Sequence, residues 1–399
     1  MKIILPLILV VLAFLSNLIA QDSSIFKAPP EEETMVGIYG NDILQTQTGD
    51  YVIAGWIKYQ SVHYRDHDLW LLKADKTGSE IWQRRLGGNS TDRANAIIQA
   101  RDGNLLVAGE TYSFGQGTYD MWLINLDVDG NISWHRTYGG SGIERAYDLC
   151  QAQDKGFVLT GFTEAPGRGS SDVIILKTDS LGNQEWSQTY GGEGIDRGYG
   201  ICNLGNRGYA IAGYTTSNTS GGLDMLILRV DKNGYKLWEI NYGGKKDDQA
   251  RAILFTSDGG LIVAGGTYSE GSGLEDLICL RLDLEGKVLW KKVYGGKLSD
   301  GATAVAETVD GGFILTGYTE SESAGYQDVW LLKLDNNGDQ LWSRTFGGPT
   351  TDEANAVKQT SDDGYIVSGL SKSTGYRETD VWVIKTDSQG RKEWDQVFK

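Results

Sequence analysis

Three arginines, Arg93, Arg145 and Arg197, recur at a spacing of 52 residues, and each directly follows an acid: Asp92, Glu144 or Asp196. Asp148 follows closely on Arg145, where the matching places in the neighbouring stretches hold Ala96 and Gly200. A guanidinium forks two hydrogen bonds onto a carboxylate, and a confined Asp titrates outside its usual range. Asp148, Arg145, Arg197 and Arg93 are therefore candidates for a charged binding site. The same residue types also suit an ion pair that only lines a channel. A second set lies in SVHYRDHD, residues 61–68. His63, Asp66 and His67 are ligand types that a transition metal takes. In a loop, however, His-x-x-x-His lacks the helical spacing that puts two imidazoles on one side. No metal is assigned on this basis, and no catalytic residue.

Other chemistries leave no trace. There is no G-x-S-x-G, P-loop, zinc-finger pattern or dinucleotide fingerprint. The formal net charge of −16 disfavours broad binding to phosphate backbones, so no nucleic-acid partner is expected. Cys150 and Cys202 stand one 52-residue step apart, hence at equivalent places too distant for a bridge, and with Cys279 they read as small buried hydrophobes. Residues 1–20 combine Lys2, an apolar run and a small residue, Ala20, before Gln21. That pattern is a signal peptide, with residues 21–36 as a polar linker. The expectation is an exported protein, secreted, periplasmic or on the cell surface, with no membrane segment after cleavage. Three N-x-S/T sequons begin at Asn89, Asn131 and Asn218.

The elements that must carry these residues follow from a repeat. Trp stands at 82, 134, 186, 238, 290, 342 and 394, and Asp at 68, 120, 172, 224, 276, 328 and 380, every step being 52. A Gly pair recurs from 87–88 to 347–348. Within one unit, ATAVAE, DGG, FILTGYT, a polar loop, DVWLLKLD, NNG and QLWSRTF read as four short strands. DGG and NNG are tight turns, since Gly takes positive φ without steric cost. Four strands per unit with no helical period mark a propeller blade, and seven units make a ring. The fold class is an all-β, seven-bladed β-propeller over residues 37–399, with four antiparallel strands per blade. The first strand carries small residues two apart, such as Ala94/Ala96 and Ala354/Ala356, and is expected innermost, with both on one face. Each repeated Trp is expected to wedge between blades. Two closures stay open: blade 7 packs on blade 1, or the C-terminal strand completes the first blade.

The unit, with Asp335-Gly338-Trp342 and DGGFILTGYTE at 310–320, resembles seven-bladed propeller repeats of exported bacterial and archaeal proteins. It is distantly similar to quinoprotein propellers, whose turn is one residue longer, and to kelch units in outline. The resemblance covers the chain from residue 37 onward and implies the fold. It implies no single activity, and no catalytic residue is carried over.

In a propeller, the loops between second and third strands share a face with the links between blades. Those loops vary here, and variable loops on a rigid frame are where binding resides. Tyr119, Tyr268, Tyr326 and Tyr376 are candidate contacts on their rim. The acids that follow each Gly pair, from Asp92 to Asp352, recur in every blade and are expected to accept backbone N–H groups. Ca²⁺ is an alternative for such oxygens, although no D-x-D-x-D-G run is present. The expected function is a monomeric, non-enzymatic binding scaffold for an extracellular carbohydrate or protein. The rival is a polysaccharide hydrolase or lyase with its site at the channel mouth.

Overall fold

The computed structural model describes residues 25–26, 34–60, 65–164, 170–373 and 378–399, and of residues 65 and 66 the backbone only. Residues 1–20, read above as a signal peptide, His63 and Tyr376 lie outside the described residues, as does the side chain of Asp66. Within the stretch read as linker, Ile25 is buried and Phe26 bridges to Leu86.

Among the described residues there are seven four-stranded sheets, each made of four consecutive antiparallel strands. Blades 1 to 7 span residues 34–86, 92–138, 144–190, 196–242, 248–294, 300–346 and 352–398. The first strand of every blade touches the first strands of both neighbours, Thr34–Gln45 meeting Asp352–Gln359 at the junction of blades 7 and 1. First strands therefore ring the central axis, as the small residues predicted. Second and third strands are covered on both sides, and Phe157–Thr163 is buried along its whole length. Fourth strands such as Gln184–Tyr190 are largely exposed at the rim.

The apolar core is a set of layers, one at each junction between blades. Ala94 packs with Val52, Leu69 and Trp122 between blades 1 and 2, whereas Ala96 packs with Leu149 and Leu159 between blades 2 and 3. The two alanines thus face opposite neighbours, which corrects the expectation that they share a face. The cause is a β-bulge: Ala94 pairs with Gly109 and Ala96 with the adjacent Ala108, so Asn95 is left out of the ladder.

Two glycine series are fixed by what lies against them. The Trp of each blade packs on the turn glycine of the next. A Cβ on Gly182 would lie 2.6 Å from the Trp134 ring, and one on Gly78 would lie 2.9 Å from Trp394, which carries the pattern from blade 7 to blade 1. In the Gly pair, a Cβ on Gly191 would lie 2.2 Å from Asp172 Oδ1, and one on Gly192 would lie 2.7 Å from Ser217 Cβ. The acid after the pair anchors this link. Asp196 accepts from the Gly192 N–H at 2.8 Å, the Ser217 hydroxyl at 2.9 Å and the Thr215 hydroxyl. These recurrent carboxylates are structural, as a symmetric series should be.

Among the described residues, blade 7 closes on blade 1 by packing, with no strand exchanged. The Ile38 N–H donates to the Thr379 carbonyl at 2.9 Å, matching the bond from Glu144 N–H to the Tyr119 carbonyl at 2.8 Å between blades 2 and 3. Asn355 Nδ2 donates to the Gly40 carbonyl at 2.8 Å, and Ile38, Ile43, Val381 and Val383 share one layer.

Candidate functional site

The bulge recurs at the same place in every first strand and extrudes one residue per blade: Asn41, Asn95, Tyr147, Tyr199, Arg251, Thr303 and Asn355. Four of these are tied down. Asn41, Asn95, Thr303 and Asn355 donate to carbonyls of Ala94, Ala146, Ala354 and Gly40 on the next blade, at 2.7 to 2.8 Å. Tyr147, Tyr199 and Arg251 break the pattern on blades 3 to 5. Tyr147 and Tyr199 stack at 4.7 Å with planes 12° apart, and the Arg251 guanidinium lies 5.0 Å from the Tyr199 ring.

One step nearer the mouth, the first and second strands present paired positions, and here the blades differ most. Tyr39 stacks on Trp56 at 3.8 Å in blade 1. Arg93 lies 4.5 Å from the Trp56 ring. Arg145 lies 4.3 Å from Tyr119, and Arg197 lies 4.2 Å from Phe162. Guanidinium and ring therefore alternate across blades 1 to 4, each cation held over a π face. Glu110, buried between two of these cations, is 3.6 Å from Arg93 and 3.5 Å from Arg145, and accepts from Asn95 at 3.0 Å. The Nε atoms of Arg93, Arg145 and Arg197 are buried and have no hydrogen-bond partner.

The opposite arc is acidic. Glu275 accepts from the hydroxyls of Tyr268 at 2.9 Å and Tyr318 at 2.7 Å. It lies across Gly266, where a Cβ would come within 1.9 Å of its Oε1. Burial raises the Glu353 carboxyl above its usual range, with Lys372 opposing. The mouth is thus uneven, with arginines on blades 2 to 5, two of them around the carboxylate Glu110, and Glu275 and Glu353 on blades 5 and 7.

Asp148 does not join the arginines. Its Oδ1 accepts the Leu149 N–H and its Oδ2 the Ile201 N–H, both at 2.8 Å, so it fastens blade 3 to blade 4. Asp42 does the same from blade 1, accepting from Ile43 at 2.8 Å and Ile97 at 3.0 Å. Burial pushes the Asp148 carboxyl up to about 7, with Asp42 adding to the rise and the Ile201 N–H, the Leu149 N–H and Lys358 opposing it.

Of the rim tyrosines, Tyr119 stacks on Tyr112 at 5.2 Å beneath Arg145, Tyr268 is bound to Glu275, and Tyr326 is 74% exposed. Of the described candidates, Tyr119 and Tyr268 join the mouth clusters and Tyr326 does not. His67 Nδ1 stands 2.9 Å from Arg93 Nη2. Arg can only donate, so Nδ1 is the acceptor, and the guanidinium sits where a ligated cation would be repelled. Among the described residues no group of three or more His, Cys, Asp and Glu gathers at metal-binding distance. The cysteines are free, and burial raises all three thiols, Cys279 to about 12.

The sequence reading missed Trp56, Glu110, Phe162, Tyr214, Glu275 and Tyr318. A signal existed. The second-strand positions 110, 162, 214, 266, 318 and 370 read Glu, Phe, Tyr, Gly, Tyr and Leu, a column without consensus inside a regular repeat.

A cavity of about 600 Å³ lies where blade 5 meets blade 6, and none of the mouth residues above lines it. It is lined by Gly296, Leu298, Ser321, Trp330 and Ser343. The buried Trp330 Nε1 has no acceptor there.

No family model matches the chain. An alignment 242 positions long, covering 54% of the chain, is 26% identical to the regulatory protein FlaEY of Caulobacter vibrioides, and spans 25% of that protein's length. Among solved structures, a puromycin hydrolase aligns with 94% of this chain and 55% of its own, at 13% identity and a TM-score of 0.52. An alpha-L-arabinanase of Penicillium chrysogenum, complexed with arabinobiose, aligns with 90% of this chain and 97% of its own, at 12% identity and a TM-score of 0.47. Likeness at these identities concerns the fold alone: the chain is a seven-bladed β-propeller with four antiparallel strands per blade.

Proposed function

We propose that the chain is an exported, monomeric, non-enzymatic binding scaffold that takes an extracellular carbohydrate at the channel mouth, on the face carrying the loops between second and third strands. The observation that carries this reading is broken symmetry: on blades 3 to 5 Tyr147, Tyr199 and Arg251 replace the tied-down polar residues of the other blades, and one step nearer the mouth rings and guanidiniums interleave across blades 1 to 4. Ring faces receive the C–H faces of a sugar, and pre-stacked guanidiniums give planar donors at little entropic cost. The carboxylates nearest this wall are engaged: Glu110 by two arginines, Asp148 by two backbone N–H groups.

The test is a glycan array and polysaccharide pull-down with the full chain, with and without EDTA, followed by analysis of the recovered glycan. Retention of an intact glycan that is lost in Arg145→Gln supports the scaffold. Release of shortened or unsaturated products, abolished by Asp148→Asn, would replace it with the hydrolase or lyase reading, for which the raised Asp148 carboxyl is the specific argument. EDTA-sensitive retention would assign Ca²⁺ a part. Silence across the array would sink the carbohydrate reading and turn the search to protein partners.

A further inference from the structure

The four mouth arginines fall into two classes. Arg93 and Arg145 share Glu110. Arg197 and Arg251, on blades 4 and 5, pair with no carboxylate among the described residues. What surrounds them is aromatic: Phe162 and Tyr199 lie 4.2 and 5.0 Å from the respective guanidiniums, and Tyr199 and Tyr214 are tilted together at 5.6 Å. Arg136 and Arg344 also lie over rings without a carboxylate among the described residues, each alone on an outer fourth strand, whereas Arg197 and Arg251 converge on the same two rings, Tyr199 and Tyr214. Buried lysines are instead matched with acids, as in Lys177 with Asp154 and Glu185, Lys333 with Asp310, and Lys385 with Asp362 and Glu393.

Two uncompensated guanidiniums against ring walls are an electrostatic demand for an anion. The walls lower the local dielectric, so attraction outweighs what the same charges achieve in open water. Arg251 is exposed and Arg197 half-buried, so an incoming group can reach both. Tyr hydroxyls nearby supply neutral donors for the adjoining hydroxyls of a sugar. Building on the reading of the mouth as a carbohydrate surface, we infer that Arg197 and Arg251 hold an anionic substituent of the ligand, a carboxylate or sulfate ester on a saccharide, with Tyr199 and Tyr214 against the ring that bears it.

The experiment is calorimetric titration of the full chain with four probes: an oligogalacturonate, a sulfated oligosaccharide, a neutral oligogalactose and inorganic sulfate. Arg197→Gln and Arg251→Gln are compared with Arg101→Gln, which lies in a tight turn on the opposite face, and melting curves verify folding. The expected result is binding of an acidic oligosaccharide at least about ten-fold tighter than the neutral one, lost by about ten-fold in each mouth variant and unchanged in Arg101→Gln. Because Arg251 is exposed, its variant remains informative if Arg197→Gln fails to fold. Equal affinity for acidic and neutral probes, unmoved by both mouth variants, overturns this inference and leaves the scaffold standing. Binding of no saccharide overturns both. Inorganic sulfate binding as tightly as either acidic oligosaccharide would show a simple ion site and overturn the saccharide assignment.

Discussion

Asp148 reaches across the junction of blades 3 and 4 to accept the backbone N–H of Ile201 at 2.8 Å. Its carboxyl titrates near 7 because the fold disfavours its charge. The folded value lies above the unfolded one, so the native state holds the proton more tightly. The associated stability is fully present below about pH 4 and is lost as pH rises through about 7. Asp42, Lys358 and the two N–H groups are the neighbours that set this balance. Asp148→Asn mimics the protonated form. Denaturant unfolding from pH 4 to 8 should therefore show a flatter stability profile for the variant, with its largest relative gain at pH 8. A variant curve parallel to wild type across that range would refute the assignment.

Blade 6 lacks a bond that its siblings make. Trp70, Trp122 and Trp382 donate their indole N–H to Gln83, His135 and Asp395 on the adjoining fourth strand, at 3.1, 3.2 and 3.0 Å. At the equivalent place blade 6 has Ser343, too short to reach, which leaves the Trp330 N–H unpaired beside a cavity. Ser343→Gln restores the arrangement of blade 1. It should raise the unfolding free energy by about 1 kcal/mol, read from the denaturant midpoint at constant m-value. The double variant Trp330→Phe/Ser343→Gln should lose that gain.

Turn glycines separate two costs. Gly182 and Gly311 have nearly the same φ, +79° and +78°, yet a Cβ on Gly182 meets the Trp134 ring and a Cβ on Gly311 meets nothing within 4 Å. Gly311→Ala should therefore cost only the left-handed backbone, about 1 kcal/mol. Gly182→Ala should cost a further 1–3 kcal/mol or so from overpacking against the indole. Equal losses in thermal unfolding would mean that the indole moves aside freely.

The frame was legible because it obeys strict periods. Seven tryptophans at one spacing can only be equivalent, and turn signals between them bound four strands. The bulge was not legible. Ala94 and Ala96 look like alternate residues of a plain strand, and only pairing with a partner reveals that Asn95 is extruded. That misjudged residue belongs to the column lining the mouth, so the site was seen in outline only. Arg93, Arg145 and Arg197 stood out because they share a register. Asp148 was grouped with them by chain proximity, yet the extruded Tyr147 intervenes and Asp148 points to the next blade. Glu110 was marked only by its place in the second-strand column without consensus, and Glu275, a loop acid, carries no local mark. Their role comes from bridging a neighbour on their own blade to one on the next, Arg93 to Arg145 and Tyr268 to Tyr318.

Each sheet is one uninterrupted stretch of chain, so the ring has a seam: the contact of blade 7 with blade 1, held by the bonds of Ile38 and Asn355, the Ile38–Val381 layer and the ring of Trp394 on Gly78. Every other junction is backed by a covalent link through the backbone. Under mechanical load applied at residues 34 and 398, this junction alone bears tension without that backing. The molecule should yield there first, opening like a split washer while each blade keeps all four of its strands.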